Sequence, residues 1–226
     1  MNTLVNTEKA RFNMIEQQIR PWNVLDADVL ALLSEIKRED FVPAGLRALA
    51  FTDTELPLKS GEDAPVMLAP RVQARIVQDV ATRPTDKVLL VGAGSGYLAA
   101  LLAKRAKQVI ALEIDAELAA LARANLQKAG ITNAQVQQAD GSQGAPAEAP
   151  FDVIVLAGSV AAVPAGLLAQ LALGGRLFAI VGEAGAPMMR ATLITRVQDQ
   201  SYQSHPSWDT VAPRLRNFPE AARFHF

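Results

Sequence analysis

Apolar positions along the chain fall into two regimes that meet near residue 86. Before it the spacing is helical. Phe12, Ile15 and Ile19 recur at helical intervals, and Pro21 closes that segment. Asp26 is placed to cap a second helix whose inner face is Val29, Leu32, Leu33 and Ile36. Phe41-Val-Pro43 ends it, and a brief helical stretch runs through Leu46 and Leu49. Residues 52–69, punctuated by Pro57, Gly61 and Pro65, read as irregular. Pro70 suits the first turn of the next helix, where a missing N–H is no loss, and Val72, Ile76 and Val80 form that helix's inner face.

From Asp86 onward, short apolar strands alternate with helices. Strands are predicted at Lys87–Val91, Gln108–Glu113, Ala134–Gln138, Asp152–Leu156 and Arg176–Val181. Helices are predicted at Gly96–Ala106, Ala116–Ala129 (capped by Asp115) and Pro164–Leu171. Ala191–Val197 and Tyr202–Ser207 read as a closing antiparallel hairpin. The alternation predicts an α/β fold, a doubly wound, mostly parallel sheet covered on both faces. Ligands in such sheets bind outside the carboxyl ends of the strands, where strand order reverses.

Composition narrows the chemistry. With 226 residues, 50% hydrophobic and 20% charged, the chain reads as one structural domain, residues 1–82 packing helices and a loop on a core of residues 83–226. A formal charge of −1 gives no general attraction to nucleic acid or an anionic membrane. There is no cysteine, which excludes disulfides and thiolate chemistry. The two histidines, His205 and His225, lie near the C-terminus, so neither a His-based triad nor a multi-histidine metal site is expected. The run Val153–Leu173 has no charge and is long enough to imitate a membrane span. Pro164 and the Gly174-Gly175 pair divide it instead into strand, loop, helix and turn. Glu8, Lys9 and Arg11 stand where the apolar core of a signal peptide would be, and a cytoplasmic protein is expected.

The strongest candidate site is Gly92-Ala-Gly94-Ser-Gly96, which follows a strand and opens a helix. Glycine permits positive φ and close approach of a ligand to the backbone. Glu113 ends the next strand, from where a carboxylate can accept both ribose hydroxyls of an adenosine cofactor. Asp140-Gly141 follows the third strand at the same sheet edge. A dinucleotide turn needs a small residue where Tyr97 stands, and neither a Walker loop nor a nucleophile elbow is in register. An adenosine cofactor without phosphate, S-adenosylmethionine, fits best.

Several segments resemble the protein-L-isoaspartate O-methyltransferase family, from about residue 10 to residue 182. They are Arg11–Arg20, Lys37-Arg-Glu-Asp-Phe-Val-Pro43, Val88–Tyr97, Ala139-Asp-Gly141, Ala149–Ile154 and Leu173–Leu177. The Arg-x-x-Phe-Val-Pro signature within the second is the most distinctive. The resemblance implies a class I S-adenosylmethionine-dependent methyltransferase with a seven-stranded sheet and an N-terminal helical extension. It also implies methylation of an isoaspartyl carboxylate in damaged protein, a protein-repair reaction that needs no general base. The expected cofactor-binding residues are Gly92, Ala93, Gly94, Ser95, Gly96, Tyr97, Glu113, Ile114, Asp140, Gly141 and Ala157; no metal is expected and no catalytic residue is assigned.

One departure stands out. The family's substrate loop carries a Thr-Ile-Ser-x-Pro type of segment, whereas here it reads Val66-Met67-Leu68-Ala69-Pro70, with Leu68 at the Ser position. Either backbone N–H groups of the loop orient the acceptor, or this chain methylates a different, more apolar acceptor or has lost the reaction. A non-catalytic S-adenosylmethionine-binding module is the alternative from another class. The segment after Asp209, with Arg214, Arg216, Phe218 and Phe224, matches no motif; its arginines form either a solvated face or a lure for an anionic substrate.

Overall fold

The computed structural model describes residues 2–220, so Phe224 and His225 lie outside the described residues. Helix α1 (Asn2–Met14) runs into a π-helical turn at Ile15–Ile19 and a 3-10 turn at Arg20–Trp22 that contains Pro21. Met14, Ile15 and Ile19 are buried, but Phe12, read as part of the inner face, is 63% exposed. Arg11 holds the inward position instead, paired with Glu39, and Phe12 lies about 100° further round the helix. Helix α2 (Ala27–Glu35) begins as expected: the Asp26 carboxylate accepts from Asp28 and Val29 N–H, and Val29, Leu32, Leu33 and Ile36 are buried.

The 52–69 segment is less irregular than its composition suggests. Strands β1 (Leu56–Pro57) and β2 (Val66–Met67) pair antiparallel, Leu56 opposite Met67, which pins the ends of the loop between them. Helix α3 (Pro70–Val80) follows, with Val72, Ile76 and Val80 buried.

The core is a seven-stranded sheet of β3 (Lys87–Val91), β4 (Gln108–Glu113), β5 (Ala134–Gln138), β6 (Phe151–Val160), β7 (Leu171–Val181), β8 (Met189–Gln198) and β9 (Ser201–Thr210). Their spatial order is β5-β4-β3-β6-β7-β8-β9, parallel through β7 and closed by the antiparallel β8–β9 hairpin. Alternate residues of each inner strand face opposite layers. Val88, Leu90, Val109, Ala111, Val153 and Val155 join the cluster under α1–α3, α4 (Tyr97–Ala103) and α5 (Ala116–Lys128). Leu89, Val91, Ile110, Leu112, Ile154 and Leu156 join a second cluster with Phe151, Leu167 of α6 (Ala165–Leu168) and Phe218. Period-2 alternation inside continuous apolar runs thus fills both faces.

Several boundaries differ from the expected ones. Helix α4 stops at Ala103, and α6 is confined to four residues, because β6 extends to Val160 and β7 starts at Leu171. Gly174-Gly175, read as a turn, is a bulge within β7: Phe151 pairs with Leu171 but Val153 with Arg176, and Gly174 has φ +76°. The uncharged Val153–Leu173 run is therefore strand, short helix and strand. Among the described residues, no helix is long and apolar enough to cross a membrane.

Candidate cofactor and acceptor site

The chain passes from β3 through β4 to β5 on one side and returns to β6 on the other side of β3, so strand order reverses at the β3–β6 junction. A cavity opens there, at the carboxyl ends of the strands. Of the expected cofactor residues it is lined by Gly92, Gly94, Glu113, Ile114, Asp140, Gly141 and Ala157. Gly92 and Gly94 have φ of +89° and +53°, which L side chains rarely adopt, so backbone rather than side chain faces the cavity here.

Glu113 is only 6% exposed. Its Oε2 accepts Gly94 N–H at 2.8 Å and its Oε1 accepts Asp115 N–H at 3.1 Å. The carboxylate therefore braces the glycine turn and keeps lone pairs available to the cavity. Asp115 caps α5, accepting from Glu117 and Leu118 N–H, and Lys59 salt-bridges it from the loop between β1 and β2. Lys59 chiefly, then the helix N–H groups, hold the Asp115 carboxyl below its ordinary range. Asp140 accepts Ser142 N–H at 2.9 Å and Asn217 Nδ2–H at 2.7 Å, and these bonds likewise keep its carboxyl ionised to lower pH.

Ala93, Ser95, Gly96 and Tyr97 do not line the cavity. Ala93 belongs to the core cluster, and the Ser95 carbonyl accepts from Asn125 of α5. Gly96 packs α4 on α5: a Cβ there would sit 3.1 Å from the Ala122 carbonyl oxygen. It thus fills the close-packing role for which Tyr97 is too large. Tyr97 is turned under the N-terminal helices, its ring 5.3 Å from that of Phe41 and 5.5 Å from the Arg38 guanidinium. Burial raises the Tyr97 hydroxyl well above its usual range and lowers the Arg38 guanidinium to about 10, still charged at neutral pH. The Tyr97 hydroxyl and Arg38 Nε are buried without a hydrogen-bond partner among the described residues.

The Val66–Pro70 segment, expected to meet the acceptor, divides similarly. Val66 and Leu68 line the cavity, and Met67 is buried in the core. Ala69 faces an adjoining groove lined by Trp22, Arg71, Trp208 and Val211, while Pro70 opens α3. The C-terminal segment, which matches no motif and whose arginines read as a solvated face or a lure for an anionic substrate, forms the third wall. Leu215 N–H donates to Ser159 O and Ser159 N–H donates to Pro213 O, laying this segment beside β6. Leu215 packs against Gly92 and Gly158, Asn217 bonds Asp140, and Phe218 enters the second core cluster. Arg214 and Arg216 both line the cavity; Arg214 is held by the Gly182 carbonyl and by Glu220, and Arg216 is exposed. The glycines at 92 and 158 were the only local signal for this docking, since their missing side chains make the room.

Comparison with known proteins agrees with this arrangement. The sequence model of the family described as protein-L-isoaspartate(D-aspartate) O-methyltransferase matches residues 9–210. A protein-L-isoaspartate O-methyltransferase of Koribacter versatilis is 42% identical over 188 residues, 83% of this chain and 82% of its own. Protein-L-isoaspartate O-methyltransferase 2 of Marinobacter nauticus is 40% identical over 190 residues, 84% and 85% of the two chains. Among solved structures, a protein-L-isoaspartate O-methyltransferase superposes with a TM-score of 0.77 at 24% identity, covering 92% of this chain and 65% of that one. A Plasmodium falciparum structure, titled a putative protein-L-isoaspartate O-methyltransferase in complex with S-adenosyl-L-homocysteine, gives 0.75 at 21% identity, covering 91% and 98%. A match that runs from α1 through the closing hairpin takes in both the glycine turn and the Val66–Pro70 segment, and on that extent the chain belongs to the protein-L-isoaspartate(D-aspartate) O-methyltransferase family.

Proposed function

We propose that this protein transfers a methyl group from S-adenosylmethionine to the carboxylate of an isoaspartyl residue in damaged protein, as a step in protein repair. The observation that carries this reading is the convergence of Gly92, Gly94, Glu113, Asp140 and Gly141 on one cavity at the strand-order reversal, in a chain of this family. The residues fit an adenosine cofactor. Gly92 and Gly94 bring backbone to the cavity wall for a methionine moiety, Glu113 would accept ribose hydroxyls, and Asp140 would accept from an exocyclic amine.

When bound, S-adenosylmethionine supplies an electrophilic methyl group. An acceptor carboxylate is ionised at neutral pH, so no side chain has to remove a proton. Among the described residues the charged groups of the lining are Asp63, Glu113, Asp140, Arg214 and Arg216. The work left to the chain is alignment and exclusion of water, for which Leu58, Val66 and Leu68 provide an apolar wall. Residues 1–82 and 83–226 act in this reading as one structural unit, and the protein works in the cytoplasm.

The apolar wall also supports a second reading, transfer to a more apolar acceptor. Labelled methyl transfer to an isoaspartyl peptide, in wild type and Leu68→Ser, separates the two. Wild-type turnover is the expected result. Turnover only in Leu68→Ser would move the acceptor to the second reading, and no turnover with any acceptor despite cofactor binding would leave a non-catalytic module.

A further inference from the structure

The peptide joining Leu68 to Ala69 is held from behind by a buried cation. Arg38, in the 3-10 turn Arg38–Asp40, is 0% exposed. Its Nη2 donates to the Leu68 carbonyl at 2.9 Å, and its Nη1 donates to Gln73 Oε1 on α3. A trans peptide is planar, with C=O and the following N–H pointing to opposite sides. A Leu68 carbonyl directed at Arg38 therefore turns the Ala69 N–H away from it. Leu68 lines the cofactor cavity and Ala69 the adjoining groove, so this amide stands on the ridge between them.

That N–H is unspent. The α3 bonds from Val72 and Gln73 N–H use the Ala69 carbonyl, and the Ala69 N–H donates to nothing among the described residues. Ala69 is only 6% exposed, and unpaired backbone N–H groups at such positions are rare. A guanidinium on the carbonyl also polarises the shared amide, which makes its N–H a stronger donor.

We infer that Arg38 is a positioning residue for methyl transfer: it fixes the Leu68–Ala69 peptide so that the Ala69 N–H receives the acceptor carboxylate. This inference rests on the carboxyl-transfer reading. It assigns to the backbone the task that a hydroxyl at position 68 would otherwise perform, and it gives the buried Arg of the Arg-x-x-Phe-Val-Pro segment a role in the site.

Ala69→Pro is the decisive variant, because it deletes one N–H with little change in backbone. Ala69 has φ −54° and ψ 145°, within the range of proline and suited to a residue preceding Pro70. Loss of one hydrogen bond to a charged acceptor should raise the KM for an isoaspartyl peptide by about tenfold or more, with a smaller change in kcat. Affinity for S-adenosylhomocysteine and Tm should stay near wild type, and Ala69→Gly, which keeps the N–H, should raise KM less than Ala69→Pro does. Arg38→Met should raise KM in the same way and Arg38→Lys should recover part of it; if Arg38→Met fails to fold, Ala69→Pro still decides. Wild-type turnover with an unchanged KM in folded Ala69→Pro overturns the inference alone. Absence of wild-type turnover overturns the carboxyl-transfer reading and this inference with it.

Discussion

Replacing Glu113 probes the cofactor site where its geometry is most explicit. Each carboxylate oxygen is anchored by one backbone N–H, from Gly94 and from Asp115, and the group is 6% exposed. Glu113→Gln keeps the shape, but an amide has a single acceptor oxygen, so its NH2 must face either the Gly94 or the Asp115 N–H. One buried donor is then left unpaired, which costs roughly 1–3 kcal/mol of folding stability. Hydrogen bonds to charged groups contribute about 1.5–3 kcal/mol each. Losing the cofactor's share weakens binding by about tenfold to 150-fold. Glu113→Ala strands both N–H groups and should be worse on both counts. Titration calorimetry with S-adenosylhomocysteine reads the first effect, and denaturant unfolding of the free protein reads the second. Unchanged affinity in folded Glu113→Gln would refute the ribose-acceptor assignment. Weakened binding with unchanged stability would show that the carboxylate does not brace the turn.

Tyr97→Phe removes a buried hydroxyl that has no partner among the described residues, so it should leave Tm unchanged or raise it, and a clear fall would reveal a bond to that hydroxyl. Gly158→Ala places a Cβ 2.9 Å from both the Leu215 side chain and the Pro213 carbonyl. It should displace the C-terminal segment, seen as faster proteolysis after residue 212 and faster release of S-adenosylhomocysteine; wild-type kinetics of both would contradict the docking. The carboxyls of Asp115 and Asp140 are held below the ordinary value of 3.8, by Lys59 foremost and by the Ser142 N–H foremost. A depressed folded-state pKa favours folding above the unfolded value, and the benefit disappears as pH falls through the folded value. Their contribution should be constant from neutrality down to about pH 4 and decline below it. Asp140→Asn should flatten part of that acid limb in thermal unfolding, and an identical limb would refute the coupling.

What the order of residues determined by itself was the part of the protein built from local rules. Period-2 and period-3.6 spacing placed the strands and most helices, Asp26 and Asp115 marked their caps, and Gly92–Gly96 with Glu113 and Asp140 marked the sheet edge that holds the cavity. Boundaries inside Val153–Leu173 were illegible because the run carries no charged residue even where Ala162, Ala165, Ala169 and Leu173 are exposed; there, pairing with β3 and β7 decided where strand ended and helix began. The direction of the Tyr97 side chain was hidden for a related reason. Its place after the glycines suggests the cofactor, but the side chain leaves the turn on the face covered by Phe41 and Arg38, which come from more than fifty residues earlier. The same holds for the two elements that complete the site. Leu215 and Asn217 reach it only because the β8–β9 hairpin returns the chain to Ser159, and Arg38 reaches the Leu68 carbonyl only because the N-terminal helices fold over α3. Hydrogen bonds and close packing between residues far apart in sequence leave no periodicity along it, so the fold was written locally while the cavity walls formed by Leu68 and Leu215 were settled by tertiary contact.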